Sequence, residues 1–491
     1  MQLSERPRSG APGRGLPPWA GSALVVPAAV LAWLMGAAVA RGGLHQAAAL
    51  AMAGVGLLLL LAAWAGRRLR YGILTVELPV VLLLMSNQTL RIRSTQELAA
   101  NPLDAAGQFR VVGIGLAGLL GLAALLSSRT AVAGRLTSLP LRLYIGYVLV
   151  VFVGVPFSAD PFLTLYRGVE LTAALLVLLG ARRRVGEAAT GRIESALYWC
   201  TVVLVASVWL GVVLFPSKAI AHLADQSIPI PYSLQGVLPA ISSNAVGTLG
   251  VMLMFWSLAR MRSGPLGRLR QRAAYLLAAL GLVTLIFAQY RTGYIAAIVS
   301  LLLILLVGRK WNLAALLLLA AVAVVLWKPS LVGDAAPYLL RGQTVAQAQE
   351  LSGRVTWWEA ALPVWEKSPL IGRGLLTASR FEVFARMGQY EVAGLHSTWI
   401  EALLGTGLIG LALLAVSFIV SARRALAAAL QPHPWIVPVV LLGILGIRSL
   451  TGNTFESFQY EALVFLWVAW ALQDPSPIGS RQRQPLVVRR A

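Results

Sequence analysis

One histidine stands where a general base would be useful. His396 closes a long segment between apolar runs and is followed by Ser397, Thr398 and Glu401. Thr398 and Glu401 have the spacing of a capping box, which predicts a helix with Thr398 as its N-cap. The positive end of a helix disfavours a protonated imidazole beside it. We therefore predict that His396 is neutral near pH 7 and can accept a proton.

Four arginines are predicted to lie at the same side of the protein as this histidine. Arg291 occupies a tight turn between two apolar runs, and Arg354 opens a helical pattern. Arg167 and Arg448 lie at the ends of other apolar runs. A guanidinium group is planar and permanently charged, and it binds phosphate oxygens in a bidentate manner. Convergence of such groups predicts a diphosphate site, with Arg291 and Arg354 as the strongest candidates and Arg167 and Arg448 as weaker ones.

Two carboxylates, Glu170 and Glu461, lie within or near apolar runs. Charges inside a membrane usually pair, so we expect these residues to be partners of the arginines. For any one arginine, the alternative is that its side chain extends to the lipid headgroups.

The elements that must position these residues are membrane-spanning helices. The chain has 491 residues, of which 58% are hydrophobic and 12% charged, and its mean hydropathy is +0.75. Soluble proteins carry roughly twice that charged fraction, which excludes a soluble globular fold. A crossing needs on the order of 20 apolar residues, and fourteen runs are candidates. They are residues 23–40, 44–65, 71–88, 109–127, 140–156, 163–181, 195–215, 243–260, 272–288, 293–308, 311–328, 397–420, 435–450 and 459–472.

The distribution of basic residues predicts the orientation. Most of the 41 Lys and Arg residues fall on alternate connections and on both termini, and the positive-inside rule places these in the cytoplasm. The formal net charge of +22 is therefore explained by topology, and we expect no nucleic-acid partner.

The chain accordingly divides into five parts. They are a cytoplasmic tail at 1–22, a transmembrane bundle at 23–328, a large outer loop at 329–396, C-terminal transmembrane helices at 397–472 and a cytoplasmic tail at 473–491. Structureless loops beyond about 15 residues are uncommon. The outer loop is therefore predicted to carry helices of its own and the active site.

An amphipathic pattern inside this loop predicts one such helix. Val355, Trp358, Leu362 and Trp365 recur at helical spacing. Tryptophan favours the membrane interface, so we interpret this face as an interfacial anchor. Stacking of the tryptophan rings on sugar faces is the alternative.

The sequence contains no signal for a cofactor or a metal. Cys200 is the single cysteine, and His45, His222 and His433 do not form a metal-ligand spacing with His396. Phosphate-binding glycine loops and dinucleotide fingerprints are also absent. A group transfer on the outer face then needs a donor that arrives activated, such as a lipid diphosphate, and positioned arginines to stabilise the leaving group.

Taken together, these segments resemble the O-antigen ligase family of the Wzy_C superfamily. The resemblance extends over residues 140 to 450 and is sharpest from 350 to 412. The segments that carry it are Ser352-Gly353-Arg354 with Trp357 and Trp358, Pro369-Leu370-Ile371-Gly372-Arg373-Gly374, His396-Ser397-Thr398-Trp399-Ile400-Glu401 and Gly405-Thr406-Gly407-Leu408-Ile409-Gly410, supported by Arg291 and Phe157-Ser158-Ala159-Asp160-Pro161.

The resemblance implies an all-α polytopic integral membrane protein with about twelve transmembrane helices, a glycosyltransferase of the GT-C type. With the fourteen apolar runs, the expectation is about 12–14 transmembrane helices. Such a protein sits in the bacterial inner membrane with its active site facing the periplasm. It transfers O-antigen polysaccharide from undecaprenyl diphosphate to the lipid A core oligosaccharide during lipopolysaccharide biosynthesis, without a metal and with inversion. By this resemblance His396 matches the catalytic histidine, and Arg291 and Arg354 match the diphosphate-binding arginines.

Other functions remain open at this point. O-antigen polymerases and some protein O-oligosaccharyltransferases share the large outer loop and similar arginines. A transporter of lipid-linked glycans would be expected to carry ionisable residues along a path through the membrane centre, whereas these gather at one edge. A purely structural membrane protein leaves the outer loop and its histidine without a role.

Overall fold

The computed structural model of the protein is almost entirely helical. It describes residues 76–87, 105–127, 137–222, 230–237, 239–262, 268–310, 353–390, 392, 394–432 and 434–472, with a few isolated positions between 311 and 320. In chain order the elements are α1 (Glu77–Ser86), α2 (Ala105–Ser127), α3 (Leu139–Val153), a 3-10 helix (Val155–Phe157), α4 (Pro161–Val185), α5 (Ala188–Leu214), α6 (Pro216–Ala219), β1 (Ile220–His222), β2 (Tyr232–Leu234), β3 (Gly236–Val237), β4 (Ala240–Ile241), α7 (Ser243–Arg262), α8 (Arg268–Ala288), α9 (Arg291–Val307), α10 (Arg354–Trp365), a π-helix (Ser379–Phe384), α11 (Thr398–Ala429), α12 (Val437–Thr451) and α13 (Tyr460–Ala471).

The predicted spans coincide with helices wherever the structure describes them. Among the described residues, α2, α4, α5, α8 and α11 are long and apolar enough to cross a membrane, and α1, α3, α9, α12 and α13 are shorter apolar helices. The predicted spans at 23–40, 44–65 and, but for isolated positions, 311–328 lie outside the described residues, as do both predicted tails. The protein is therefore a mostly helical, multi-pass membrane protein.

The core of the bundle surrounds α13. After Glu461 in its first turn, this helix is apolar on all sides, as expected of a helix with no exposed face, and its residues Phe465, Trp467 and Trp470 are fully buried. Phe465 stacks on Phe455 with 4.7 Å between ring centroids. By contrast, α8 carries largely exposed leucines such as Leu276, which in a membrane face the lipid chains.

Close helix packing depends on glycine at two crossings. A Cβ on Gly180 of α4 would lie 2.3 Å from the carbonyl oxygen of Gly121 in α2. A Cβ on Gly281 of α8 would lie 2.6 Å from the carbonyl oxygen of Gly250 in α7. Small residues at such crossings let helix backbones approach closely, which is how helices associate in membranes.

Helix α11 is broken near the outer loop, and a turn of that loop fills the break. Gly407 has a φ of +65°, a non-helical conformation inside the helix, and a Cβ there would lie 2.3 Å from the carbonyl carbon of Leu370. The amide of Leu408 donates to the carbonyl oxygen of Pro369 at 2.8 Å, and the amide of Gly374 donates to that of Gly405 at 3.0 Å. Residues 369–374 and 405–410 thus pair with each other and satisfy the backbone groups that the break leaves open.

The described part of the outer loop packs as a small unit on the start of α11. Its own core contains Ala361 and Val364 of α10, Phe384 of the π-helix and Leu404 of α11. The predicted helix is confirmed over Arg354–Trp365, and the interfacial role of its face with Val355, Trp358, Leu362 and Trp365 stays a prediction. Ala361 and Val364 are the buried positions, while Leu362 is 46% exposed, because the helix turns its alanine and valine towards the π-helix.

Two short antiparallel sheets depart from the all-α prediction. Strand β1 pairs with β2, and β3 pairs with β4, in a segment that the hydropathy pattern predicts only as a connection. Each sheet has two strands, so the two sheets are small additions to a fold that stays mostly helical.

Candidate functional site

The turn between α8 and α9 places Arg291 at a helix start. Gln289 has a φ of +49° and its side-chain amide donates to the carbonyl oxygen of Tyr232 at 2.9 Å, which ties the turn to β2. Thr292, next to Arg291, hydrogen-bonds Thr451 of α12 at 2.9 Å between hydroxyl oxygens. The turn is thereby fixed to both neighbours, and Arg291 emerges from a rigid position as the sequence predicts.

Arg354 is positioned by a left-handed glycine. Gly353 has a φ of +84° and directly precedes α10, a conformation that favours glycine. Burial, followed by the positive charges of Arg448 and Arg291, lowers the pKa of Arg354, and only the phenol of Tyr290 acts in the opposite direction. The charges of the three arginines are therefore close enough to repel one another.

Arg448 is held inside this group by two partners. Its Nε donates to a carboxylate oxygen of Glu461 at 3.0 Å, and its Nη1 donates to the hydroxyl of Tyr290 at 3.2 Å. The expected pairing of Glu461 with an arginine is thus confirmed. Because Tyr290 directly precedes Arg291 in the chain, the same contact joins α12 to the α8–α9 turn.

His396 lies beside the first turn of α10, which Arg354 opens. Its ring lies 5.8 Å from that of Trp357, tilted by 33°, and its side chain is partly buried. Burial and then the charges of Arg354 and Arg448 lower the pKa of His396 to about 4. The imidazole is accordingly neutral at pH 7, but the physical cause is desolvation and cationic neighbours and not the helix end that the sequence suggests.

The predicted capping box is wrong. Ser397, and not Thr398, is the N-cap of α11, and no side chain caps it. The hydroxyl of Thr398 instead donates to the carbonyl oxygen of Gly452 at 3.1 Å, beyond α12. The carboxylate of Glu401 reaches past the cap to the amide of Leu395 at 3.0 Å. The side chains of Thr398 and Glu401 thus join the buried start of α11 to Gly452 and to Leu395.

Arg167 lies in a different cluster. Its Nη1 donates to Glu170 at 2.8 Å, and the Nε of Arg110 donates to the other oxygen of the same carboxylate at 2.6 Å. The expected pairing of Glu170 is confirmed. Among the described residues, no hydrogen bond or ion pair joins Arg167 to Arg354 or to His396. Arg110 also donates to the carbonyl oxygen of Phe458 at 3.2 Å.

The structure therefore brings together His396, Arg291, Arg354 and the weaker candidate Arg448, and it adds Tyr290. The sequence favours Arg448 less than Arg291 and Arg354 because Arg448 lies at the end of an apolar run. The signal for Tyr290 is its position next to Arg291 in the same turn. We refer to Arg291, Arg354 and Arg448 as the arginine cluster.

This arrangement can support two chemical operations. A neutral imidazole can accept a proton from a hydroxyl group, and fixed cations in a partly dehydrated site stabilise a developing anion far better than in water. An anion bound to the arginine cluster also offsets the charges that lower the pKa of His396, so the imidazole becomes more basic when the anion is present.

Comparison with known proteins agrees with the motifs. Residues 276–415 match the Wzy_C family model, described as O-antigen ligase. The matched range includes Arg291, Arg354 and His396 but neither Arg167 nor Arg448. No curated protein matches the chain. The resemblance inferred from the motifs is thus confirmed over that range, and it indicates an enzyme of the ligase or polymerase type.

Proposed function

We propose that this chain, with its Wzy_C segment, is an O-antigen ligase. The proposed reaction transfers O-antigen polysaccharide from undecaprenyl diphosphate to a sugar hydroxyl of the lipid A core oligosaccharide. The donor, the acceptor and the surrounding membrane lipids are the proposed partners. The observation that carries the proposal is the position of His396 against Trp357 in the helix that Arg354 opens, where the charges of Arg354 and Arg448 act on its imidazole. A base and an anion site must meet for such a transfer.

The proposed diphosphate site is the arginine cluster. A diphosphate carries at least two negative charges, and the arginine cluster offers three guanidinium groups, of which Arg448 is held in place by the carboxylate of Glu461. Burial and then the charges of Arg448 and Arg291 lower the pKa of Arg354, and an anion bound there would offset the effect of those charges. Arg167 is left outside this site, because its guanidinium and that of Arg110 already share Glu170.

The proposed chemistry needs one proton acceptor and one stabilised leaving group. His396 takes the proton of the acceptor hydroxyl as its oxygen attacks the anomeric carbon of the donor. The bond from that carbon to the diphosphate oxygen breaks, its electron pair passes to the diphosphate, and the arginine cluster stabilises the charge. Attack opposite the leaving group inverts the anomeric configuration. The guanidinium groups supply the positive charge, so the proposal includes no metal.

The membrane setting is also part of the proposal. We place the protein in the bacterial inner membrane with both termini in the cytoplasm and with His396 and the arginine cluster facing the periplasm. The distribution of Lys and Arg along the sequence supports this orientation, and the exposed apolar side chains of helices such as α8 suit contact with a polyprenyl chain.

The test supplies purified undecaprenyl-diphosphate-linked O-antigen to the protein in lipid vesicles with one acceptor at a time. A ligase elongates lipid A core and leaves the donor unpolymerised. Longer lipid-linked glycan without added core would instead identify an O-antigen polymerase, and a glycosylated acceptor protein would identify an O-oligosaccharyltransferase. Donor that crosses the bilayer without reaction would identify a transporter. The His396→Ala protein serves as the control for background transfer.

A further inference from the structure

A buried carboxylate connects the segments around His396. Glu401 is fully buried in the first turns of α11. One of its oxygens accepts the amide of Leu395 at 3.0 Å, and the other accepts the hydroxyl of Ser379 at 2.8 Å. The amide of Leu376 also donates to this carboxylate. Glu401 thus joins α11 to the π-helix and to the residue directly before His396.

Two strained residues depend on these contacts. His396 has a φ of +53° and Leu376 a φ of +60°, a left-handed conformation that side chains with a Cβ rarely adopt. Such residues persist only where the surrounding structure holds them. Glu401 binds the amide of Leu376 itself and the amide of the residue before His396, so one side chain supports both positions.

The peptide group that leads into His396 is fixed by a second side chain. The indole Nε1 of Trp358 in α10 donates to the carbonyl oxygen of Leu395 at 2.9 Å. Glu401 holds the amide of Leu395 and Trp358 holds its carbonyl, so the backbone has little freedom to rotate before the histidine.

We propose that Glu401 is a positioning residue that fixes the backbone at Leu395 and thereby directs the imidazole of His396 towards the arginine cluster. The consequence for turnover rests on the proposed function, whereas the effect on the orientation of His396 does not. Misplacement of a reacting group by about 1 Å costs on the order of 100-fold in rate, so loss of these contacts is expected to lower kcat and to leave donor binding intact.

Variants of different length and charge separate positioning from acid–base catalysis. Glu401→Asp keeps the charge but is too short to reach Leu395, and we expect kcat to fall on the order of 100-fold, as in Glu401→Ala. Glu401→Gln keeps the length, can accept the Leu395 amide through its carbonyl oxygen and can donate to Ser379 through its NH2 group. It keeps the hydrogen bond from the Leu376 amide only if that amide shares the same oxygen, so it should lose some activity but stay within about tenfold of the wild type. KM for the donor should change little in all three. An inactive Glu401→Gln beside an active Glu401→Asp would overturn the proposal.

Chemical labelling gives a readout that needs no glycosyl transfer. Diethyl pyrocarbonate modifies neutral imidazole, and mass spectrometry of the peptide that contains His396 reports the rate. We expect faster modification at pH 7 in Glu401→Ala and Glu401→Asp, and a wild-type rate in Glu401→Gln. Wild-type rates in all of these variants would refute the positioning role, and they would do so even if the protein proved to have no ligase activity.

Two further variants control for unfolding and for loss of charge. Glu382→Gln removes a carboxylate of the same loop that accepts a hydrogen bond from Arg373 at 3.0 Å. In this variant His396 should be labelled by diethyl pyrocarbonate at the wild-type rate. Trp358→Phe removes the donor to the Leu395 carbonyl and leaves Glu401 in place, so it should also speed the labelling of His396. If Glu401→Ala yields no folded protein, an unchanged labelling rate in Trp358→Phe and Glu401→Asp contradicts the proposal.

Discussion

The charge of Arg354 should control the protonation of His396, and replacing that arginine tests the electrostatics of the site. Burial is the largest cause of the low histidine pKa, and Arg354 is the largest charge effect. A decrease from 6.5 to about 4 corresponds to roughly 3 kcal/mol against the imidazolium, at about 1.4 kcal/mol per pKa unit. Arg354→Gln removes the effect of the Arg354 charge, while burial and the charge of Arg448 remain. The pKa of His396 should therefore rise to a value between about 4 and 6.5.

The sign of the effect follows from the protonation equilibrium. At pH 6, about 1% of an imidazole with a pKa near 4 is protonated, against about three-quarters at the ordinary value. A rise in the pKa of His396 therefore lowers the neutral fraction between pH 4 and pH 6. The activity of a general base falls as pH decreases through its pKa, so the acid limb of kcat/KM should move to higher pH in Arg354→Gln.

The assay is the pH dependence of labelling at His396 by diethyl pyrocarbonate. The wild-type midpoint is expected near pH 4, with a higher midpoint for Arg354→Gln. Arg354→Lys keeps the charge and should keep the wild-type midpoint, which makes it the matched control. A wild-type midpoint near 6.5, or one that does not change in Arg354→Gln, would refute the electrostatic reasoning.

Three other perturbations test the site and its support. Arg448→Lys keeps the charge but removes the guanidinium group that donates to both Glu461 and Tyr290. It should lower the transfer rate in the vesicle assay by at least about tenfold. Glu461→Gln leaves that arginine buried without a carboxylate, and the free energy of unfolding in detergent should fall by about 3 kcal/mol; an unchanged melting temperature would contradict the described pairing. Gly407→Ala imposes strain of about 1–3 kcal/mol and places its Cβ 2.3 Å from the carbonyl carbon of Leu370, so it should lower the melting temperature sharply. Gly191→Ala, where a Cβ meets nothing within 4 Å, is its control.

The helices and the site's main residues could be predicted because each has a local signal. Apolar runs correspond to helices throughout the described part of the chain, because the length and hydropathy of a run are local properties that the sequence shows directly. Arg291 and Arg354 were recognised because a tight turn and a helix start lie directly beside them in the sequence. The pairings of Glu170 and Glu461 followed from the cost of an isolated charge in a membrane.

The features that were missed depend on contacts between distant segments. The spacing of Thr398 and Glu401 fits a capping box, but burial directs these side chains to Gly452 and Leu395 instead. Arg448 has no local motif, and only the packing of α12 against α9 brings it to Tyr290. No sequence rule predicts the left-handed backbone of His396, because this conformation depends on the contacts that Glu401 and Trp358 make with Leu395.

The central claim is that His396 acts as the base for a transfer whose diphosphate donor binds to the arginine cluster. The most direct test is the single-turnover rate of transfer from bound donor to lipid A core, measured in wild-type and His396→Ala protein with equal donor occupancy. A general base contributes roughly 10²- to 10⁴-fold. We predict a loss of that size with unchanged donor affinity. A His396→Ala rate within a few-fold of the wild type would show that another group takes the proton.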